Sequence, residues 1–540
     1  MPMGRAFRRV PVNPQAQPVD RTLQIPAPTD GWVTNENIAA TKKKSAVVLE
    51  NWFPEFDRVR LRAGATKVAT TGGDAITALF TYNQGGNEFL FAATATDVYD
   101  MTSLDPDTPP SADVSSRTDG YYSTLQIATS GGEFLYAFNE ADSPLLFDGS
   151  SWTTVTNVST PAITGTTSND TSLLRHGWVY RDRIFMIERD TLLAWYLPVE
   201  SIGGAASDIS LQGVFRRGGT LLFGTTWSID TGDGADDKCC FFTDQGEVAV
   251  YEGANPGDSS DWNLIGVYDL SVPLGKNAHM RGGGVPIIAT EEGLVPLSVV
   301  FKTDVAALGI AAVSRPIEPD WRREAAKVNA AYPWEVMKWP FKNCAFVSLP
   351  HSTVTSPICF VVNLETGAWA KYTGWDIQSM ALFGGQAYFG DADGLIYSME
   401  VGGTDNTMNY VGRMSCAFNH LKAPGYYKTV SQARAVFLAN YTFTPRLSCT
   451  VDYLVNFPSP PSALDDGGSG SGWDLSLWDV GLWDEGGDTA ALAVQTRWRS
   501  ISRSGYSHSM QIQITMGNET APNISLIAMD ILYETGGIVV

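Results

Sequence analysis

The stretch ITALFTYNQGGNEFLFAATATDVYDMTS, residues 76–103, reads as three short strands joined by turns, the first at Gly85-Gly86 and the last strand ending in Val98-Tyr99-Asp100. Its β-branched and aromatic residues alternate between punctuating glycines, the pattern of a hairpin carried on into a third strand. Residues 122–152, YSTLQIATSGGEFLYAFNEADSPLLFDGSSW, repeat the plan with a turn at Gly131-Gly132, a middle strand from Phe134 to Phe138 and a last strand over Leu145, Leu146, Phe147 and Asp148. Further units follow in RDRIFMIERDTLLAWYLP, DQGEVAVYEG, GVPIIATEEGLVPLS, CFVVNLETGAWAKY and GGQAYFGDADGLIYSMEV. They return at intervals of roughly 45 to 50 residues, the repeat length of propeller blades. A single four-stranded blade cannot bury both of its faces, whereas a ring of blades packs face on face and leaves only short edges. The repeat therefore predicts an all-β fold with a β-propeller-like body over residues 71–400. The Thr- and Ser-rich stretch from Thr153 to Ser172 and the interruption before Cys359 allow a partial ring or insertions. A stacked double β-sandwich would give similar alternation.

Beyond residue 400 the spacing stops. Alternation in QARAVFLANYTF, SCTVDYLVNF and SMQIQITM, with Met510, Ile512, Ile514 and Met516 on one face, predicts a second, β-sandwich-like domain over 401–540. Residues 457–488 form a Pro- and Gly-rich excursion too long for a hairpin turn. The clearest helix is DWRREAAKVNAAYPW, with Pro319 and Asp320 as start signals, Pro333 as the stop, and Trp321, Ala325 and Val328 on one face. Up to about Asn51 the chain is polar and interrupted by prolines, which predicts an extended N-terminal arm; residues 1–70 form an arm and entry segment.

A net charge of −21 argues against a protein that grips a phosphate backbone through a basic footprint, and suits a surface past which DNA slides without sticking. The charge is uneven. Arg5, Arg8, Arg9, Arg21, Lys42, Lys43, Lys44, Arg58, Arg60, Arg62 and Lys67 make the first seventy residues net positive. Such an arm on an acidic body predicts docking to an acidic neighbour, with Trp52 among the docking residues; a basic leader that aids solubility is the plainer alternative. No apolar run reaches the roughly eighteen residues of a membrane span, and the start lacks the apolar core of a secretory signal, so a soluble product made in the cytoplasm is expected.

Reactive chemistry is hard to find. The histidines, His176, His279, His351, His420 and His508, have no metal-ligand spacing, and the six cysteines show no CxxC. In KCCFFTD, Cys239 and Cys240 are expected to face the core and the outside in turn. The sequence Asp391-x-Asp393-Gly394 could open a calcium loop, but its twelfth position is Gly402 instead of Glu, which favours an ordinary β-turn. DTGDGADD reads as an acidic hairpin tip, and RGGGVP lacks the lysine of a phosphate loop. The reading is therefore no enzyme, no metal and no cofactor. The oddest local feature is the cadence Trp473-Asp474, Trp478-Asp479, Trp483-Asp484, three indoles suited to a tip or subunit contact, to internal packing, or to stacking on carbohydrate.

The order of several motifs resembles the tail-nozzle, or packaged-DNA stabilisation, proteins of short-tailed bacteriophages. These are ENWFPEFDRVRLRAGATKVAT, WVYRDRIFMI, PIEPDWRREAAKV, CAFVSLPH, FVVNLETGAW and the closing RWRSISRSGYSHSMQIQI. The Ser/Thr-rich insertion after Trp152 and the Trp-Asp excursion depart from the pattern. The resemblance implies a structural virion subunit of the tail, assembled in the bacterial cytoplasm. It would form a ring of six copies below the portal's adaptor protein, beside other tail proteins such as a needle, fibre or spike. That ring would seal the packaged genome and pass double-stranded DNA at ejection, without specific binding. The alternative is a tail propeller that binds or depolymerises host-surface polysaccharide.

Overall fold

The computed structural model describes residues 21–228, 237–302, 305–328, 333–350, 356–439, 443, 445–463, 493–517 and 523–536. The fold is all-β, with seven blades arranged as a propeller. The first blade is built from Ala78–Gln84, Asn87–Ala93 and Val98–Asp100, the second from Ser123–Thr129, Gly132–Phe138, Leu145–Phe147 and Trp152–Thr154. The third holds Leu174–Tyr180, Arg183–Glu188, Leu193–Tyr196 and Ser207–Ser210; the fourth holds Leu221–Trp227, Lys238–Thr243, Glu247–Glu252 and Asn263–Asp269. His279–Gly282, Val285–Thr290 and Gly293–Pro296 make the fifth, and Glu335–Trp339, Cys344–Ser348, Ile358–Asn363 and Trp369–Thr373 the sixth. The seventh consists of Ser379–Phe383, Gln386–Gly390 and Leu395–Met399, completed by Ala65–Thr70 from the other end of the domain.

That last pairing closes the ring. Ala69 sits opposite Ile396, and both join Leu79, Leu90 and Ala92 of the first blade in one core. Every other pair of neighbouring blades also shares a core, so both faces of a blade are apolar. Strict alternation of core and solvent fails for this reason. Cys239 faces the third blade and Cys240 the fifth, both fully buried, which corrects the expectation that one would point outward. Burial raises both thiols well above their ordinary range.

The second domain is a sandwich, and residues 21–62 belong to it. One of its sheets contains Ala493–Gly505, Lys428–Ala439 and Ile524–Thr535 together with Arg21–Pro26, Val59–Leu61 and Trp52–Pro54. The other continues the sixth blade through Ser45–Glu50, Tyr410–Cys416, His508–Met516 and Arg446–Val451. From Arg21 onward the expected arm is thus a set of strands held by the C-terminal domain. Of the prolines that suggested extended chain, Pro26 ends one of these strands and Pro28 lies in the turn that follows. Residues 1–20 lie outside the described residues.

Asn51 makes the corner between the two sheets, at a φ of 61° that Asn tolerates better than most residues. Its side chain donates to Thr373 Oγ1 at 2.8 Å and to the Val411 carbonyl at 2.9 Å, and accepts from Arg62 Nε at 2.9 Å. Alternation on His508–Met516 also fails, because Ser509, Gln511 and Gln513 are as buried as the apolar face. Ser509 Oγ donates to the Cys416 carbonyl, Gln511 Oε1 accepts from Ser448 Oγ at 3.0 Å, and the segment around Ser459–Pro461 accepts from Arg446 and Thr515 beside them. The helix runs over Glu318–Ala325, two residues earlier than Asp320 as a cap would allow and ending well before Pro333. Trp321 anchors it by donating to the Thr290 carbonyl at 2.8 Å.

Arg62 ties the two domains. Fully buried, it donates to both oxygens of Asp405 at 2.9 and 2.6 Å and to the carbonyls of Ala63 and Thr373. Its guanidinium lies 4.0 Å from the Tyr410 ring centroid and 4.4 Å from that of Trp375. Removing one partner of such a pair strands the other charge in a dry site. Arg62→Ala is expected to cost about 3–5 kcal/mol in equilibrium denaturation, and Arg62→Lys to recover only part, since an ammonium cannot reproduce the planar fork. A loss under about 1 kcal/mol would show that the hub is dispensable.

Candidate docking surface and propeller well

The residues expected to dock divide into two groups. Lys42, Lys43 and Lys44 are exposed in the turn before Ser45. Trp52 and Arg62 are fully buried, and Arg60 is clasped by Glu400 at 2.8 Å and Glu55 at 3.2 Å. Arg58 bonds Glu55 and Asp57. The docking expectation is therefore corrected for Trp52, Arg60 and Arg62, whose side chains join the domains internally once the chain past Asn51 enters the sheet. Arg5, Arg8, Arg9, Trp473, Trp478 and Trp483 lie outside the described residues.

The fold assembles a basic end that was not anticipated. Arg21, Tyr533, Val430 and Arg503 stand in one row across four strands. In the facing sheet the same end carries the Lys42–Lys44 turn, since Ala46 pairs with Cys416 and the loop from Cys416 returns at Lys428. The signal was present in RWRSISR, where Arg497, Arg499 and Arg503 fall on one face once the bulge opposite Val430 and Gln432 is counted.

At the propeller axis the innermost strands enclose a well of about 900 Å³, lined among others by Ser123, His176, Thr225, Asn277, His279 and Glu335. Its floor is the segment Leu274–Ala278. Lys276 pairs with Glu140 at 2.9 Å and donates to the Arg175 carbonyl, Asn277 donates to the Tyr122 carbonyl, and Trp334 N–H reaches the Leu274 carbonyl. This segment is thus bonded at once to the second, third and sixth blades at one end of the well.

The well is polar but internally satisfied at several points. His176 bridges Ser123 Oγ at 3.0 Å and the Gly224 carbonyl at 2.9 Å, and burial lowers its pKa to about 3, so it is a neutral strut between blades. Glu335 accepts from Met380 N–H at 2.9 Å, linking the sixth and seventh blades. Ser379 Oγ in turn accepts from Leu79 N–H, carrying the link to the first blade. Burial lifts the Glu335 carboxyl from 4.5 to about 7, against the pull of its Ser379 and Met380 hydrogen bonds.

A second hollow, about 520 Å³, lies between the seventh blade and the sandwich, lined by Trp375, Asp376, Asp391, Tyr397, Asp405 and Met408 among others. Asp391 Oδ1 accepts from the backbone of Asp393 at 3.0 Å and Leu395 at 2.8 Å. The Asp391-x-Asp393-Gly394 motif is thus a self-capped turn, as its spacing indicated.

No family model and no curated protein matches the chain. Among solved structures it is similar to YCF48 bound to D1 peptide, at 10% identity over 67% of this chain and 99% of that one, with a TM-score of 0.37. It is also similar to the Cps50 (Swd1) β-propeller domain of Myceliophteria thermophila, at 8% identity over 62% and 99% of the two chains with a TM-score of 0.36. BBS1N in complex with ARL6DN matches at 8% identity over 65% and 97%, with a TM-score of 0.37. These likenesses concern the β-propeller fold.

Raised folded pKa values give a definite pH dependence. Between about pH 4.5 and 7 the unfolded Glu335 has lost its proton while the folded one keeps it, so rising pH favours unfolding through this group, and the effect levels off above 7. Glu335→Gln removes that slope. Its stability relative to the parent chain is expected to climb across this window in urea denaturation and then plateau; parallel profiles would refute the assignment.

Proposed function

We propose that this chain is a structural subunit of a short phage tail, a nozzle component that contributes to sealing the genome and to its exit path beneath the adaptor. The observation that carries the reading is the lacing of one N-terminal run, Arg21 to Thr70, through the sandwich, the sixth blade and the closing strand of the seventh. Domains stitched in this way form one stiff body, suited to bearing load in an assembly and poorly suited to opening around a substrate. The motif order described above supports the same reading. Among the described residues no helix is long and apolar enough to cross a membrane.

On this reading the DNA path lies between copies. A sphere of the axial well's volume is roughly 12 Å across, no wider than the major groove of a duplex alone. Acidic propeller surfaces facing the path would repel the phosphate backbone and keep it sliding.

One observation favours the second reading, a polysaccharide-binding or depolymerising tail propeller. The hollow beside the seventh blade combines Asp376 and Asp391 with the ring of Tyr397, a mixture of carboxylates and a ring that suits a sugar. The two readings separate in particles. Electron microscopy of virions carrying a tagged chain is expected to place it in a ring on the tail axis, and particles lacking it to lose their DNA. A chain lying off the axis, with release of reducing ends from host polysaccharide that Asp376→Asn abolishes, would replace the nozzle reading by the enzymatic one.

A further inference from the structure

The charge of this chain is divided by domain. Residues 63–400 carry 40 acidic and 19 basic side chains, a balance of −21 that equals the net charge of the whole chain. The described part of the sandwich carries 15 basic against 9 acidic. Within it Arg413 and Arg434 are paired, with Glu50 and Asp530. Arg497, Arg499 and Arg503 have no ion pair among the described residues; they share the face of the strand Ala493–Gly505 that is turned towards the other sheet, where Arg497 and Arg499 edge a small hollow with Phe437, Phe443 and Leu447. That strand is thirteen residues long and, among the described residues, is the edge strand of its sheet. Trp498, 42% exposed, points to the opposite face, where the Arg434 guanidinium lies 5.0 Å from its ring centroid.

The opposite condition holds on the first blade. Its third strand, Val98–Asp100, is followed by a long loop that returns at Val114. Asp97, Asp100, Asp105, Asp107 and Asp113 surround this edge, and none has an ion pair among the described residues. Asp100 and Asp113 are close enough that the charge of one, after burial, raises the carboxyl of the other. The nearest arginine, Arg117, is turned to Asp142 and the Ser143 carbonyl.

We infer that the arginine edge Arg497–Arg503, with the Lys42–Lys44 turn at the same end of the sandwich, docks on the acidic outer rim of the first blade of a second copy. The inference rests on the reading of the chain as a ring component and names the two surfaces that meet. They are different surfaces of one molecule, so the contact is heterologous, and repetition generates a ring where the rotation closes. A second copy suits the arginines better than a nucleic acid does, because a duplex at this edge would also meet the field of a propeller at −21, whereas that surplus is the counter-charge a neighbour supplies. In the contact the guanidinium groups gain carboxylate partners.

Heterologous geometry makes a sharp prediction for mixtures. A chain bearing Arg497→Gln, Arg499→Gln and Arg503→Gln keeps only the acidic surface. One bearing Asp97→Asn, Asp107→Asn and Asp113→Asn keeps only the basic surface. In mass photometry and sedimentation velocity each is expected to stay monomeric, while the mixture gives a 1:1 heterodimer and nothing larger; the parent chain forms higher species. Each triple change is expected to weaken self-association about 100-fold, and raising salt from about 0.1 to 0.5 M to weaken the parent similarly. If a neutralised chain misfolds by circular dichroism, the charge-reversed pair, Arg→Glu at the three arginines and Asp→Lys at the three aspartates, serves instead, and its members should associate only with each other.

Absence of association in both mixtures overturns the inference. If parent rings persist meanwhile, the contact lies elsewhere and the ring reading stands. Two rival occupants have their own signatures, and either result also overturns it. Should a 30-base-pair duplex bind the parent chain and be lost with the arginines while self-association is unchanged, the edge faces nucleic acid. Residues 464–492 carry seven acidic side chains and no basic one. Should their replacement by a Gly-Ser linker create an association the parent lacks, the arginines belong to the chain's own excursion.

Discussion

Ring closure is the constraint on which the rest of the structure depends. Six blades and three strands of a seventh have an open apolar face at each end, and the pairing of Ala65–Thr70 with Leu395–Met399 brings those faces together. Partners more than three hundred residues apart must meet, at a large loop-closure cost. The sequence meets that cost by attaching the closing strand to something already ordered. The strand just before it, Val59–Leu61, is held in the sandwich, and between them sits Arg62, buried against Asp405, Tyr410 and Trp375. Sandwich formation thus delivers the closing strand to the last blade, and the ring and the second domain stabilise each other.

The same device explains the polar content of the interior. Propeller blades bury both faces, which leaves the innermost strands to surround an axial well whose buried polar groups are costly to leave unpaired. The chain answers with links from blade to blade. His176 joins the second blade, through Ser123, to the fourth, through Gly224; Glu335 and Ser379 carry hydrogen bonds from the sixth to the first. The strong pKa shifts at His176 and Glu335 follow from this burial. In many proteins such shifts point to catalysis. Here each perturbed group has structural partners, so its displacement measures desolvation at a joint.

Much of the propeller was legible in the sequence because strand–turn–strand units are local. The Gly85-Gly86 turn, the closing Val98–Asp100 strand and the paired runs around Glu188, Thr290 and Asn363 follow from neighbouring residues alone. What could not be read was non-local. The partners of Arg21–Pro26 and Ser45–Glu50 lie hundreds of residues away, in Ile524–Thr535 and Tyr410–Cys416, and nothing in the neighbouring residues announces those pairings. The docking residues failed for a related reason. A run of arginines reads as exposed until its partners are known, and those of Arg60 and Arg62 are Glu400 and Asp405, some 340 residues away. Conversely Arg497, Arg499 and Arg503 alternate with serines in an ordinary strand pattern, and only the sheet order puts that strand at an edge.

The distribution of charge follows from the same architecture. Blades have no free apolar surface to spare, so their loops and outer strands can carry a large excess of carboxylates, tolerable because they are spread around a ring and screened beyond roughly 8–10 Å at physiological salt. Close range is different. At Asp113 burial, and after it the charge of Asp100, raises the carboxyl above its usual range, so a positive group brought to this edge would favour the charged form. The edge strand bearing unpaired arginines presents the converse charge, which also deters indiscriminate strand pairing. Each surface is poorly satisfied in an isolated copy and better satisfied against the other. Specificity then comes from geometry, since two edges of fixed spacing on one stiff body can meet those of a neighbour only in certain orientations, and rigidity between the domains, set at Arg62, decides which.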